Sequence, residues 1–498
     1  MKNLFSVLKN KKYIFILCFL LFLLILPRIA LYPIFGTGIV GTDAEMRYLP
    51  QVDELSRSIS SFFSQTGAAY SLFLLFFKKI NNNMVASSVF AQHVIGIITG
   101  VLVFWYFKKV NLFLAVFVTV FVYAGWLSLW LEHTILRESL TAFLFVLLVI
   151  IFSLAIKEEK YFKLPYAFLA GLIGLILVFL RIEFIFLVIF FPLVFFLTKK
   201  EKLLNFKFWD KSFLKWCLGY FSPLFVVFLI WGAVIFKNKE QDTFQYGSLF
   251  GISYYSMAYN DFLPRIFYYE NSRYIGLLEK YQLALEAHKD ELNSLTLIDR
   301  RERTRRALAI VSKSTEEYIS EHPEINLSVN QLMDRVYIEI IKKNTLIYLQ
   351  GMVVNFKSHL VGMAELNTVS IKDSQISSLK VHLSGIEPSV VEDSKQASLL
   401  DKAFRVYITG MIIFSKVLFW LFLISLPILF FKWKVMPPEI IVSSFVVFLH
   451  LSVLAIFADP SQRFRYPIDP FLYFLQLYLI LYFLKVFSQK TLKLFVRK

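Results

Sequence analysis

Cysteine is nearly missing from this chain: two residues in 498, Cys18 and Cys217, both inside apolar runs. Two such thiols cannot staple a small secreted scaffold, and they carry no information about redox compartment. Charge is scarce too, at 18% of residues, where a soluble domain averages about 25%. The seven histidines are dispersed, with no HExxH or other metal-ligand spacing. There is no Walker loop, no βαβ dinucleotide fingerprint and no serine nucleophile elbow, so neither a nucleotide-driven pump nor a lipase finds support. No internal repeat and no low-complexity linker is visible.

What the chain has instead is apolar and aromatic surface. Hydrophobic residues make up 57%, aromatics 18%, and phenylalanine alone 55 residues. The mean hydropathy is +0.61. Several apolar runs approach or exceed the roughly 20 residues that a helix needs to cross a bilayer core. The composition excludes a soluble enzyme, a disordered regulator and a disulfide scaffold, and it predicts an all-α polytopic membrane protein. The formal charge of +17 comes from 53 Lys and Arg against 36 Asp and Glu. Much of that excess lies in short tails and loops between apolar runs, where positive charge orients a membrane protein, so no nucleic-acid partner is implied.

Placing the lysine-rich segments inside and checking parity gives a topology. Lys2, Lys9, Lys11 and Lys12 put the N-terminus in the cytoplasm, and Tyr13–Leu31 leads out. That stretch is too long for a signal peptide and lacks a small-residue cleavage pattern, so a retained first span is expected. Met84–Phe107 returns to Lys108 and Lys109, Asn111–Leu131 leads out to Glu132 and His133, and Ser139–Ile156 comes back to Lys157. This parity makes residues 32–83 an outer loop. Its short apolar piece Ala68–Phe77, at about ten residues, is too short to span and fits an interfacial or re-entrant helix. Leu164–Leu197 is broken by Arg181-Ile182-Glu183 and flanked by lysines, which fits a hairpin with Arg181 and Glu183 at its outer turn; one long tilted helix is the rival. Phe213–Phe236 leads out again.

Three regions follow: an N-terminal transmembrane module over 1–236, an extracytoplasmic helical domain over 237–402 and a C-terminal transmembrane module over 403–498. In the middle region 277–320 reads as amphipathic helix, and Val336–Met363 as a helix along the membrane surface. Phe404–Phe431, Glu439–Phe457 and Phe471–Phe487 complete about ten spans, with both termini cytoplasmic.

Ionisable groups are expensive in or beside the hydrocarbon layer, so their clustering is informative. The same parity puts Asp43 and Glu45, Glu132 to Glu138, Arg181 with Glu183, and Arg463 with Arg465 on one face. The first constellation is Gly41-Thr42-Asp43-Ala44-Glu45-Met46-Arg47-Tyr48, followed by the amphipathic Gln51–Phe63. The second, Trp126–Leu140, contains Glu132, His133, Arg137 and Glu138. The third runs from Asp459 to Pro470, and its paired arginines lie outside, against the positive-inside trend. An arginine fork binds phosphate bidentately. The plainer readings are solvated loop charges, an internally neutralised cap, and arginines paired with Asp459, Asp469 or lipid headgroups.

Together these residues resemble the GT-C integral-membrane glycosyltransferases, nearest to the aminoarabinose and protein-mannosyl transferase branch. Asp43-Ala44-Glu45 occupies the place of that family's acidic first-loop motif, and short interfacial helices follow it. Glu132 and Glu138 lie where the family carries a second acid, and the choice between them is open. Arg463–Pro470 is similar to the family's Arg-Tyr-x-x-Pro stretch, and Ile338–Phe356 to its amphipathic helix. The resemblance implies transfer of a sugar, with inversion, from a polyprenyl-phosphate donor on the extracytoplasmic face of the plasma (bacterial inner) membrane. The acceptor would be a hydroxyl of a lipid-linked glycan, a glycolipid or a protein.

Such chemistry needs a carboxylate to take the acceptor's proton and positive charge to stabilise the leaving phosphate. Asp43 is the first-choice base, with Glu45, Glu138 and Glu132 as the other acids. Arg463, Arg465 and Arg181 could bind the donor phosphate, and Tyr48, Tyr466, His133 and His359 could line the pocket. These residues point to no certain cofactor; a divalent metal is compatible with them but nothing indicates one. Two other classes fit parts of the chain. A surface-polysaccharide polymerase or ligase would carry a late arginine-rich loop, and a lipid-linked sugar flippase or transporter would show mid-membrane charge and pseudo-symmetric halves.

Overall fold

A computed structural model of the chain describes residues 11–40, 44–58, 67–81, 83–157, 163–194, 211–237, 274–294, 300–343, 417–427, 435–457 and 465–496, with pieces of one to three residues between some of these segments. The described residues are almost all helical, and their one extended pairing is a bridge between Ile39 and Thr134. Five helices are long and apolar enough to cross a membrane: Tyr13–Tyr32, Met84–Phe107, Glu138–Lys157, Pro438–Ala455 and Tyr466–Val486. A sixth candidate is the bent pair Leu112–Tyr123 and Leu127–His133. These helices are compatible with a polytopic membrane protein.

The first helix, α1 (Lys11–Phe35), is apolar on every side. Its Phe15, Phe22 and Ile29 are 71%, 57% and 62% exposed, a stripe that water tolerates poorly and lipid accepts. A wide helical turn, Ala44–Tyr48, leads into α2 (Leu49–Arg57). This short amphipathic helix buries Val52 and Leu55, and α3 (Ala68–Ile80) follows it. Asparagine starts the next two helices. Asn83 accepts from the Ala86 amide at the head of α4 (Met84–Phe107), and Asn111 accepts from the Leu114 amide at the head of α5 (Leu112–Tyr123). Each side chain satisfies an amide that the first turn leaves without a helical partner.

The expected span Asn111–Leu131 is not one straight helix. It breaks at Ala124-Gly125, where Gly125 is extended, and resumes as α6 (Trp126–His133) at a bend of 47°. Glu132 and His133 therefore belong to the last turn of a helix rather than to a loop. After α7 (Glu138–Lys157), the break at Arg181-Ile182-Glu183 falls where the charges place it, between α8 (Leu164–Leu180) and α9 (Phe184–Phe190). α10 (Lys211–Lys237) packs on α8 so closely that a Cβ on Gly171 would lie 1.9 Å from the Tyr220 carbonyl.

The middle region differs from its expectation in two ways. The 277–320 stretch is not one helix: α11 (Ile275–Ala287), α12 (Lys289–Ser294) and α13 (Arg300–Glu321) are separate. The helix expected from Val336 begins earlier, as α14 (Val329–Lys343). Its apolar face does not lie free for a membrane surface, because Leu332, Val336, Tyr337 and Ile340 pack with Leu277, Tyr281 and Val311 in a core of their own. An amphipathic stripe is satisfied equally by lipid and by neighbouring helices, and here the neighbours take it. Of the expected span Phe404–Phe431, Val417–Pro427 is described as helix.

Two sets of helix ends meet in the main bundle. At one end, Lys157 of α7 pairs with Glu439 of α15 (Pro438–Phe457). The Tyr106 hydroxyl of α4 bonds Ser153 of α7 at 2.8 Å there, and Lys108 lies 5.6 Å from the Tyr13 ring centroid. At the opposite end meet the C-terminal ends of α1, α6 and α8 and the N-terminal ends of α7 and α16 (Asp469–Val496). The groups that carry chemistry collect at this second end.

Candidate functional site

Glu132 is the node of the second end. It is completely buried and takes a donor on every acceptor position. Arg28 of α1 grips it with both arms, Nε to Oε2 at 2.8 Å and Nη2 to Oε1 at 2.7 Å. Ser128 donates to Oε1 at 2.8 Å, and His93 Nδ1 lies 3.0 Å from Oε2. Two further Arg28 donors reach the Leu24 and Tyr123 carbonyls. Burying two ions costs several kcal/mol each, and full hydrogen bonding of this kind is what offsets that cost. Room is made from the other side by Gly96, where a Cβ would stand 2.0 Å from Oε1. A carboxylate with four donors has no lone pair to spare for a substrate proton, so this geometry suits a fixed counter-ion.

Around the node the segment that follows α1 is tied to the one that follows α6. The Ile39 amide donates to the His133 carbonyl, and the Ile135 amide to the Ile39 carbonyl, each at 2.9 Å. Gln92 of α4 donates to the Glu132 and Thr134 carbonyls at 2.7 and 2.8 Å and accepts from the Tyr70 hydroxyl at 2.6 Å. Tyr70 in turn meets Tyr48 edge to face, with ring centroids 4.9 Å apart. On the far side, Ser128 and the Tyr466 hydroxyl are 2.7 Å apart, which joins the segment that leads into α16 to the same node.

A second group lies beside it. Gly67 turns the chain into α3 with φ 80°, in the left-handed region where a Cβ is costly. Its vicinity is filled by Tyr48, Arg137 and the Leu180 carbonyl. Arg137 donates to that carbonyl at 2.6 Å and so caps the end of α8. Arg181 pairs with Glu183 through Nε at 2.6 Å. Burial raises the Glu183 carboxyl, but the Arg181 and Arg137 charges outweigh it and hold the group at about 2. Glu138 opens α7 and is 2% exposed. Its Oε2 has no hydrogen-bond partner among the described residues. Burial first, then the nearby Tyr48 and Glu138, push the Tyr70 hydroxyl well above its ordinary value.

The predicted residues thus separate. Glu132, His133 and Tyr466 share one hydrogen-bonded node, and Tyr48 and Glu138 flank it through Tyr70. Glu45 is exposed on the wide turn before α2. Arg465 is buried and directs its Nε to Asp469, at 2.5 Å, and its Nη2 to the Tyr473 hydroxyl at 2.9 Å. That is the plainer pairing anticipated for it. Asp43, Arg463 and His359 lie outside the described residues. No three His, Cys, Asp or Glu side chains among the described residues are placed to hold a metal ion.

Arg28, Gln92, Ser128 and His93 were not among the residues singled out from the sequence. Arg28 carried the clearest signal, being a lone cation within an apolar run whose long stem and single charge also fit simple snorkelling. Comparison with protein-family models, with curated proteins and with solved structures finds no match to the chain.

Proposed function

We propose that the chain is a glycosyltransferase of the extracytoplasmic face, taking a sugar from a polyprenyl-phosphate donor and passing it, with inversion, to an acceptor hydroxyl. About ten spans with both termini cytoplasmic, in a bacterial plasma membrane, complete the proposal. The observation that carries it is convergence. Segments that charge parity assigns to four outer positions meet at one end of the bundle, through Ile39–Thr134, Ser128–Tyr466, Arg137–Leu180 and Tyr48–Gly67.

Asp43, in the segment that leads into the Tyr48 turn, is the base in this reading. Glu138 is the alternative, since it is buried, has an oxygen to spare and sits at a helix N-terminus. Glu132 serves as anchor. The leaving phosphate needs a cation not already spent: Arg465 is engaged with Asp469 and Tyr473, and Arg181 with Glu183. Arg463, outside the described residues, is the first choice for that role, as a bidentate clamp. A flippase would use charge near mid-membrane, whereas the ion pairs Arg28–Glu132 and Lys157–Glu439 lie toward the ends of their helices. A polymerase or ligase of lipid-linked glycans would use the same face and remains the alternative activity.

The test is a reconstitution. The purified chain in proteoliposomes, given a panel of polyprenyl-phosphate sugars and membrane-extract acceptors, should consume one donor and release polyprenyl phosphate. Movement of donor across the bilayer without cleavage would assign the flippase instead, and failure to consume any donor by folded protein would reject the transfer.

A further inference from the structure

Asn326-Leu327-Ser328 is the one Asn-x-Ser/Thr triplet in the chain. Such a triplet accepts an N-linked glycan where it lies on an exposed loop outside the cytoplasm. The triplet is short, so its placement decides. Residues 322–328 join α13 to α14 outside any helix. The start of this segment is tied by a turn, in which the Ile325 amide donates to the His322 carbonyl at 2.9 Å. Its end is tied by a capping box at the head of α14. The Ser328 hydroxyl accepts from the Gln331 amide at 3.4 Å, and the Gln331 side chain accepts from the Ser328 amide at 3.2 Å.

Between the two ties the side chains alternate. Ile325 and Leu327 pack against the core of Leu277, Tyr281 and Val311, whereas Asn326 between them is exposed. Inward and outward residues in turn are the pattern of extended backbone. An amide held out in this way is reached without opening α13 or α14. Glu324, also exposed, stands two positions ahead of it, so an enzyme that grips this segment meets a carboxylate beside the acceptor.

We propose that Asn326 is the attachment site of an N-linked glycan, placed there by a separate oligosaccharyltransferase from a polyprenyl-pyrophosphate-linked oligosaccharide. One Asn326 Nδ2–H bond breaks, and Nδ2 bonds to the anomeric carbon of the first sugar. The bond from that carbon to the pyrophosphate breaks, its electron pair leaving with the phosphate. The amide proton passes to a base of the transferring enzyme. The assignment rests on the proposed outer placement of residues 237–402 and not on any transfer activity of this chain.

The test reads the modification itself. The full chain is purified from its native membranes, and the tryptic peptide 314–335 is fragmented to locate any sugar. Wild type and Ser328→Thr should carry an oligosaccharide on Asn326, and Asn326→Gln and Ser328→Asp should carry none. Aspartate keeps the cap of α14 but breaks the triplet, so Ser328→Asp separates loss of the glycan from loss of the fold. A bare Asn326 in wild type, sugar on Ser328 instead, or a glycan retained in Ser328→Asp would overturn the assignment. Placement is read separately, by an impermeant thiol reagent on Ala287→Cys in intact cells. Labelling there with a bare Asn326 would reject the glycan alone, and labelling only after permeabilisation would reject the outer placement as well.

Discussion

Glu132 and Glu138 are carboxylates of one short segment, yet their surroundings give them opposite capacities. Glu132 is saturated by Arg28, Ser128 and His93, whereas one oxygen of Glu138 is without a hydrogen bond among the described residues. Removing the charge at 132 leaves the Arg28 guanidinium buried without its counter-ion, a loss of about 3–5 kcal/mol for a broken buried pair. Glu132→Gln should therefore lower the unfolding temperature measured in detergent. Glu138→Gln should unfold near wild type and, if Glu138 takes the acceptor's proton, lose about a hundredfold in transfer. A thermally neutral Glu132→Gln would show that the Arg28 pair contributes little to the fold.

At the scale of elements, the turn between α8 and α9 is held by charge. The Glu183 carboxyl is held at about 2, below the ordinary glutamate value of about 4.3. A group whose folded value is depressed adds stability above its unfolded value and loses it as pH falls toward the folded one. The difference in unfolding temperature between wild type and Glu183→Gln should thus be full at pH 6 and shrink as pH falls from about 4.3 toward 2. A constant difference across that range would mean that Glu183 acts through packing alone.

This turn was legible in the sequence, because Arg181 and Glu183 interrupt an apolar run too long for one span. The limits of α4 were legible for a similar reason, as an unbroken apolar stretch closed by Lys108 and Lys109. The bend at Gly125 was not, since one glycine inside an apolar run is common and only tertiary packing turns it into a break. The partner of α14 was equally hidden, because its stripe of Leu332, Val336 and Ile340 fits lipid as well as it fits α11 and α13. For the site, the acids of the 132–138 segment could be named from sequence. Their division into an anchor and a carboxylate with one oxygen unbonded among the described residues could not, since it depends on Arg28, 104 residues away in the chain.

For the whole molecule, the two sets of helix ends carry opposite partners, lysines at one and the carboxylate–histidine–arginine node at the other. The proposed topology places the middle region outside. Ala287, exposed at the end of α11, offers a site to check it. Ala287→Cys in an otherwise cysteine-free chain should react with an impermeant thiol reagent in intact cells. Labelling that needs permeabilised cells would invert the topology and move the node to the cytoplasmic side.

The claim that this end of the bundle performs sugar transfer is tested most directly by one rate. Release of polyprenyl phosphate from a radiolabelled polyprenyl-phosphate sugar is measured with wild-type chain and with Asp43→Asn, which keeps size and hydrogen bonding but cannot take a proton. The account predicts release by wild type and a rate about a hundredfold lower or less in the variant. Equal rates in the two proteins, or none in the wild type with every donor tried, would contradict it.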